Sequence, residues 1–496
     1  MNKIYKTSYC IALLLLMVLS SCLKKNLEDY APGKVNNLNI NGDLKDSYLV
    51  NIDDVLKLSA KVEQSKGDGD LSYQWYYYGA NKDLDTGRVV VSNTADLVLK
   101  IDMATGAYIL VAESTDTKTG VKGYKKMKLT VKRLTSEGWL LLSWKDNKAN
   151  LSIVNSENDV LKNFLLPSAQ YPISNRPEKL FCLSTYNAEN QPIVIQTNPS
   201  KLLFLDRNTF EVHNDENTAF LSGLSPKITH FAADMYFMNF FMWDDEGLLY
   251  KSEGKPDLNY PSGFDLPMTG NYKASKFILP VGSGYPVPAV FYDELSKGFI
   301  YQPYGTNQLL PFQAKPVNAP FNMNNFTDEI KFAALGASSK TYVVGKNVKG
   351  EHHLYTMELD NALDVYPATA MLKLDIPANA NPSFYALSGK LPLLYYVIDN
   401  TLYLYKIGEN KSSLALYTFP AGEQIAAFQM FREGMSLTEA KNPFVNNRLV
   451  VAVNKGSEGI FYTFDLSATG ALKTGRYATR NDGFDTIVDI AYKEMN

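Results

Sequence analysis

Trp139-Leu140-Leu141-Leu142-Ser143, followed after a polar turn by Leu151-Ser152-Ile153, reads as one apolar strand and a second that turns back on it. The same two-part signature returns six more times. It reads Pro192 to Gln196 with Leu202-Leu203-Phe204, Phe237 to Trp243 with Leu248-Leu249-Tyr250, and Ala289 to Tyr292 with Phe299-Ile300-Tyr301. Then come Tyr342 to Gly345 with His353-Leu354-Tyr355, Leu391 to Ile398 with Tyr403-Leu404-Tyr405, and Leu449 to Val453 with Ile460-Phe461-Tyr462. A period of roughly 50 residues outranks local readings and leaves room for two further strands per unit. Each unit is therefore expected to be a four-stranded blade, and residues 134–496 a seven-bladed β-propeller. Thr229 to Ala232, Lys331 to Leu335 and Ile425 to Phe428 supply a strand ahead of three hairpins, whereas Arg133 to Gly138 has no space for one. The orphan strand Ile487 to Tyr492 is expected to fill that gap and close the ring, leaving no long sheet edge exposed.

Upstream the texture differs. Over residues 35–133 short apolar runs alternate with turn clusters at the spacing of a β-sandwich: Val55 to Val62, Leu71 to Tyr78, Leu97 to Ile101, Gly106 to Ser114 and Tyr124 to Val131. Trp75 falls where an immunoglobulin-like core carries its tryptophan, and Tyr108 fits a tyrosine corner. Leu110 takes the place that antibody domains give to a disulfide cysteine. The expected fold class is all-β, a sandwich followed by a propeller, in keeping with 32 Tyr, 25 Phe and 31 Gly.

The N-terminus reads as a signal. Lys3 and Lys6 precede the apolar run Ile11 to Leu19, and Leu19-Ser20-Ser21-Cys22 ends it on a cysteine. That tetrapeptide resembles the lipobox of bacterial lipoproteins, which implies cleavage after residue 21 and acylation of Cys22. Residues 22–34 read as a tether. The expected protein is held at a membrane by lipid, since the apolar run is too short to span a bilayer. Cys10 leaves with the signal and Cys22 is acylated, so Cys182 has no disulfide partner and reads as a core thiol.

Charge excludes one class of partner. The formal charge of −3 becomes −5 without Lys3 and Lys6, and Lys24-Lys25 and Lys125-Lys126 are too short to form a nucleic-acid face.

The tether, Tyr73-Gln74-Trp75, Thr105-Gly106-Ala107-Tyr108, Thr115-Asp116-Thr117-Lys118-Thr119-Gly120 and Gly138-Trp139-Leu140-Leu141-Leu142-Ser143 together resemble the PKD-like lipoprotein family of Bacteroidetes. The resemblance implies an outer-membrane lipoprotein, displayed on the cell surface with the periplasmic face as the alternative, that works beside a starch-utilisation-type pair, a TonB-dependent transporter and its substrate-capturing lipoprotein. It carries no catalytic signature.

Local chemistry is sparse. His352 and His353 are adjacent on a strand and point to opposite faces, so they do not share a metal, and His213 and His230 are isolated. No H-E-x-x-H or G-x-S-x-G occurs. Gly67-Asp68-Gly69-Asp70 lacks the third glycine of a dinucleotide loop and reads as a hairpin turn. Asp244-Asp245-Glu246, and Asp482 with Asp485, remain as carboxylates that folding would have to pair for glycan- or peptide-degrading chemistry, or that would bind calcium. Neither a cofactor nor a metal is expected. Trp243, Tyr260, Tyr272, Tyr304, Phe321 and Phe326 lie at strand ends or in long loops, and are the candidates for a surface that binds an oligosaccharide, an oligopeptide or the transporter complex. Their expected place is the propeller face made by the hairpin turns and the connections between blades. The leading expectation is a non-catalytic binding protein, and its rival is a propeller enzyme.

Overall fold

The computed structural model describes residues 36–494 except 67–68, 81–86, 165–172, 174, 183–191, 199–200, 216–217, 222, 234–238, 254–262, 283–286, 288, 361, 410–412 and 433–438. The signal segment, the whole tether with Cys22, Gly67-Asp68 and Tyr260 thus lie outside the described residues. The chain divides into two compact units between Arg133 and Leu134.

In the first unit one sheet has the order Ser47–Asn51, Lys122–Lys132, Gly106–Asp116, Leu71–Gly79, Val89–Ser92. Val55–Ser59 pairs with Asp96–Lys100, and Leu38–Asn41 with Lys61–Gln64. Side chains from these separate ladders meet in one core, where Leu97 and Leu99 pack with Trp75, Leu110, Met127 and Leu129. That makes the unit a sandwich. The Trp75 indole donates to the Thr94 carbonyl at 3.1 Å, so its one polar atom is satisfied inside the core. Tyr108 donates to the Ala104 carbonyl at 2.8 Å, the back-bond of a tyrosine corner.

The second unit is a β-propeller whose described strands form seven antiparallel sheets. Gly138–Lys145, Lys148–Val154 and Val160–Leu161 belong to the first, and Arg176–Cys182, Ile193–Asn198, Lys201–Leu205 and Val212–Asp215 make the second. The third holds Ile228–Ala233, Asn239–Asp244 and Leu249–Glu253, and the fourth Ala274–Leu279, Ala289–Asp293, Gly298–Gln302 and Leu310–Pro311. The fifth comprises Glu329–Leu335, Thr341–Lys346, His352–Met357 and Ala368–Lys373; the sixth, Phe384–Leu387, Leu393–Ile398, Thr401–Lys406 and Leu414–Thr418. Glu423–Met430, Arg448–Lys455, Glu458–Asp465 and Thr479–Phe484 form the seventh. Thr486–Lys493 does not extend that sheet. It runs antiparallel to Gly138–Lys145 and becomes the missing first strand of the first sheet.

Seven apolar clusters fill the spaces between consecutive sheets, and the last of them joins the seventh to the first through Trp139, Phe431, Phe461, Ile487 and Ile490. The second strand of each sheet has neighbours on both faces, so its residues are apolar in unbroken runs rather than in alternation. Asn239–Asp244 is buried at every position. Fourth strands such as Ala368–Lys373 face water over most of their length.

Between the fifth and sixth sheets lies one buried titratable group without compensation. Both ring nitrogens of His352 lack a hydrogen-bond partner, and desolvation, reinforced by Lys346, Lys331 and His353, pushes its pKa down to about 4 from 6.5. Because the folded value is depressed, the unfolded chain takes up the proton first. The stability contribution is full above pH 6.5 and is lost as pH falls toward 4. The loss is expected to be on the order of 2 kcal/mol, below the full conversion of about 1.4 kcal/mol per unit because the surroundings of a protonated ring can relax toward it. His352→Leu leaves no partner stranded and should flatten this limb while keeping the melting temperature at pH 7. Melting curves of both proteins between pH 7 and 4 check it; parallel curves would contradict the assignment.

Candidate functional site

Each sheet of the ring presents two ends. At one emerge the hairpin turns between second and third strands and the connections to the next sheet. At the other emerge the connections between first and second, and between third and fourth, strands.

Most of the aromatic candidates serve the core. Trp243 is 2% exposed, stacks on His230 with centroids 5.4 Å apart, and packs with Phe241 and Phe291 between the third and fourth sheets. Tyr272 is buried there as well, donating to the Met268 carbonyl and accepting from the Leu249 N–H, both at 3.0 Å. Phe321 and Phe326 plug the space between the fourth and fifth sheets, with Phe326 4.5 Å from the Tyr355 ring and 4.9 Å from Phe299. The reason is local. The loop carrying them folds back and bonds its backbone to the strand Gly298–Gln302 and its preceding turn, Phe299 N–H to Met323 at 2.7 Å and Phe326 N–H to Lys297 at 2.6 Å. Trp243, Tyr272, Phe321 and Phe326 are thus corrected from a recognition surface to packing. Tyr304 alone among the described candidates is exposed, at 56%.

Asp244, Asp482 and Asp485 are also committed. Asp244 is buried and accepts from the N–H groups of Glu246 and Leu248 and from the Tyr250 hydroxyl, closing its own hairpin turn. Asp482 pairs with Arg480 at 2.9 Å, and Asp485 with Lys145 at 3.2 Å. Among the described residues no group of three metal-ligating side chains gathers. Nor is any helix there long and apolar enough to cross a membrane.

A cleft of about 200 Å³ opens at the seam between the seventh and first sheets. It lies on the end opposite the hairpin turns, so the expected binding face is not where this cleft is found. Trp139, Val154 and Asn155 to Asn158 come from the first sheet, with Tyr492 from the closing strand; Phe431, Asn442, Phe444, Arg448, Phe461, Thr463 and Thr479 come from the seventh. Its floor is an aromatic box. Trp139 lies 5.4 Å from Phe431 and 5.3 Å from Tyr492, and Phe431 lies 4.4 Å from Tyr492. The Tyr492 hydroxyl is buried without a hydrogen-bond partner. Burial pushes its pKa far up, Glu137 and Glu494 adding to the effect, while the nearby Asn442 amide opposes it without reaching hydrogen-bonding geometry.

The rim is polar, and its one guanidinium is paired. Arg448 covers the Phe444 ring at 3.4 Å and donates from Nε to Asp465 at 2.7 Å. The Asn155 side-chain oxygen Oδ1 accepts from the backbone N–H groups of Glu157 and Asp159, which holds the turn over the cleft. Asn158 sits at φ 68° and accepts from the Asn481 amide at 3.0 Å, a bond that spans the seam. The Thr463 and Thr479 hydroxyls are 2.7 Å apart. Sequence reasoning missed this site because its parts come from the start and the end of the propeller's sequence, which the pairing of Thr486–Lys493 with Gly138–Lys145 unites.

Comparison with known proteins adds the following. No curated protein matches the chain. A quinonprotein alcohol dehydrogenase-like protein from Bacteroides thetaiotaomicron VPI-5482 is 11% identical with a TM-score of 0.42, over 92% of this chain and 99% of that one. Saccharomyces cerevisiae Sqt1 is 12% identical with a TM-score of 0.39, over 69% of this chain and 82% of that one. The β-propeller domain of Myceliophteria thermophila Cps50 (Swd1) is 8% identical with a TM-score of 0.37, over 63% and 90%. Similarities so distant say nothing of chemistry. Residues 28–170 match the model of the PKD-like family, a match that runs past the sandwich and over the first hairpin of the propeller.

Proposed function

We propose that this protein is a non-catalytic, lipid-anchored binding protein of the outer membrane, tethered through acylated Cys22. In this reading it serves as an accessory to a TonB-dependent transporter and its substrate-capturing lipoprotein. The observation that carries the binding role is the seam cleft, where an aromatic floor meets a rim of amides and hydroxyls whose one guanidinium is already neutralised by Asp465. The anchor rests on Leu19-Ser20-Ser21-Cys22, and the company it keeps on the PKD-like match. A rigid ring that positions a recess at one end is a common arrangement for binding.

Cys22→Ala is expected to move the protein from the membrane fraction to the soluble one with its melting temperature unchanged. Membrane retention of a correctly processed Cys22→Ala protein would remove the anchor. Native protein extracted in detergent is expected to co-purify with a transporter identified by mass spectrometry. Turnover by the purified protein of any oligosaccharide or oligopeptide in a library would overturn the non-catalytic reading.

A further inference from the structure

We infer that the seam cleft binds a single neutral pyranose ring, such as the terminal unit of a saccharide; this rests on the binding role proposed above and assigns its ligand class. Size comes first. A cavity near 150 Å³ takes a benzene-sized ring, so about 200 Å³ suits one six-membered ring with its substituents and is too small for an extended peptide segment. The lining has two kinds of surface. Half-buried Tyr492 brings the open part of its ring to the cleft over the packed rings of Trp139, Phe431 and Phe461, and the C–H face of a pyranose carries the weak positive charge that complements an aromatic surface.

The rim then supplies hydroxyl partners. Asn158 uses its carbonyl oxygen for Asn481, and its NH₂ has no partner among the described residues. The Thr463 and Thr479 hydroxyls share one proton between them, so the second remains free to donate. Charge decides against the alternatives. Arg448 is the one cation among the described lining residues; it is held by Asp465 and covers Phe444, while Glu157 also lines the cleft. A phosphate or carboxylate ligand would meet no unneutralised cation, and an ammonium ligand would find Trp139, Phe431 and Phe461 packed against one another rather than open around it as a cage. A ring that presents an apolar face and a belt of neutral hydroxyls fits both surfaces.

The seam position adds a readout. A ring seated there touches the first sheet, the closing strand and the seventh sheet together, so binding should raise the melting temperature. The experiment uses ligand-observed NMR and thermal melts on the full mature chain with glucose, galactose, mannose and N-acetylglucosamine, and with a set of tripeptides. Three variants accompany the wild type. Asn158→Gly keeps the positive φ and removes the amide, and Thr479→Val removes the hydroxyl at similar volume. Ser156→Trp places a bulky ring at the exposed edge of the cleft.

At least one pyranose is expected to bind with a dissociation constant on the order of 1 mM. Asn158→Gly and Thr479→Val should each weaken it about 3- to 10-fold, the usual effect of one lost hydrogen bond. Ser156→Trp should abolish it while the melt without ligand stays intact. A folded wild type that binds no pyranose overturns the inference, as does pyranose binding equal in all four proteins. Tripeptide binding that Ser156→Trp abolishes, without any pyranose binding, overturns the ligand class and leaves the binding role standing. Pyranose binding accompanied by saccharide turnover supports the ligand class and overturns the non-catalytic reading.

Discussion

Removing residues 487–496 is expected to open the ring and give a protein that aggregates or melts many degrees below the full chain. The strand Thr486–Lys493 is held from three sides. Along its length it pairs with Gly138–Trp144. From the seventh sheet, Gln429 donates to the Ile490 carbonyl at 2.7 Å, and Asn454 bonds both the N–H and the carbonyl of Ile487 at 2.8 Å. From the second sheet, the Leu180 N–H donates to Asp489 at 3.0 Å. Ile487 and Ile490 are fully buried, and with much of Tyr492 their apolar burial is worth on the order of 6 kcal/mol. Stranding the amides of Gln429 and Asn454 adds about 1–3 kcal/mol each. The sum is comparable with the entire stability of a typical domain, about 5–15 kcal/mol. The exposed edge of Gly138–Lys145 would also be a template for pairing with other chains. Ile490→Ala tests the same strand more gently and should cost about 2–5 kcal/mol. Differential scanning calorimetry with light scattering reads both; a truncated chain that melts like the full one would contradict closure by this strand.

Much of this architecture was legible because of where the second strands sit. Leu140 to Leu142, Phe240 to Trp243, Leu393 to Val397 and Leu449 to Val453 are apolar without a break because sheets cover them on both sides, and such runs stand out in any reading. The fourth strands gave little signal. Val160–Leu161 and Leu310–Pro311 are two residues long, and Leu414–Thr418 is largely exposed. In the sandwich, Trp75 and Tyr108 were readable from their spacing, but Ser47–Asn51 was not, since it pairs in parallel with Lys122–Lys132 from across the sequence. Phe321 and Phe326 misled for a physical reason. An aromatic ring in a loop has the same sequence signature whether the loop stands away from the sheets or folds back, and here backbone bonds to Phe299 and Lys297 turn both rings inward. The cleft was illegible altogether, because no local motif records that Asn158 meets Asn481.

A second device hidden from sequence leads to the other large expected effect: Asp328→Ala should destabilise the protein by about 3 kcal/mol. Asp328 is buried, and its Oδ2 accepts both from the Tyr355 hydroxyl and from His353 Nδ1, each at 2.7 Å. Burial pushes the Tyr355 phenol far above its ordinary pKa, and the bond to Asp328 adds to this, so the phenol stays a donor at any physiological pH. Alanine strands a buried O–H and a largely buried imidazole N–H, at about 1–3 kcal/mol each before any cavity is counted. The fit is close: a Cβ on Gly345 would come within 2.8 Å of the Asp328 Cβ and 3.0 Å of the Tyr355 ring, so this pairing also accounts for that glycine. Tyr355 in turn braces Phe321 and Phe326 at 5.0 and 4.5 Å, so loosening it loosens the packing between the fourth and fifth sheets. The arrangement recurs where Tyr250 donates to Asp244 at 2.9 Å and Tyr462 to Glu423 at 3.0 Å, in each case an aromatic from a third strand reaching a buried acid. Tyr355→Phe should cost only about 1 kcal/mol, because Asp328 keeps His353. The double variant Asp328→Ala, Tyr355→Phe should therefore be less destabilised than the sum of the single variants, since the phenol that alanine would strand is gone. Urea melts of the four proteins measure this. Strict additivity would show that the hydroxyl and the carboxylate contribute independently and that the bond between them adds no stability.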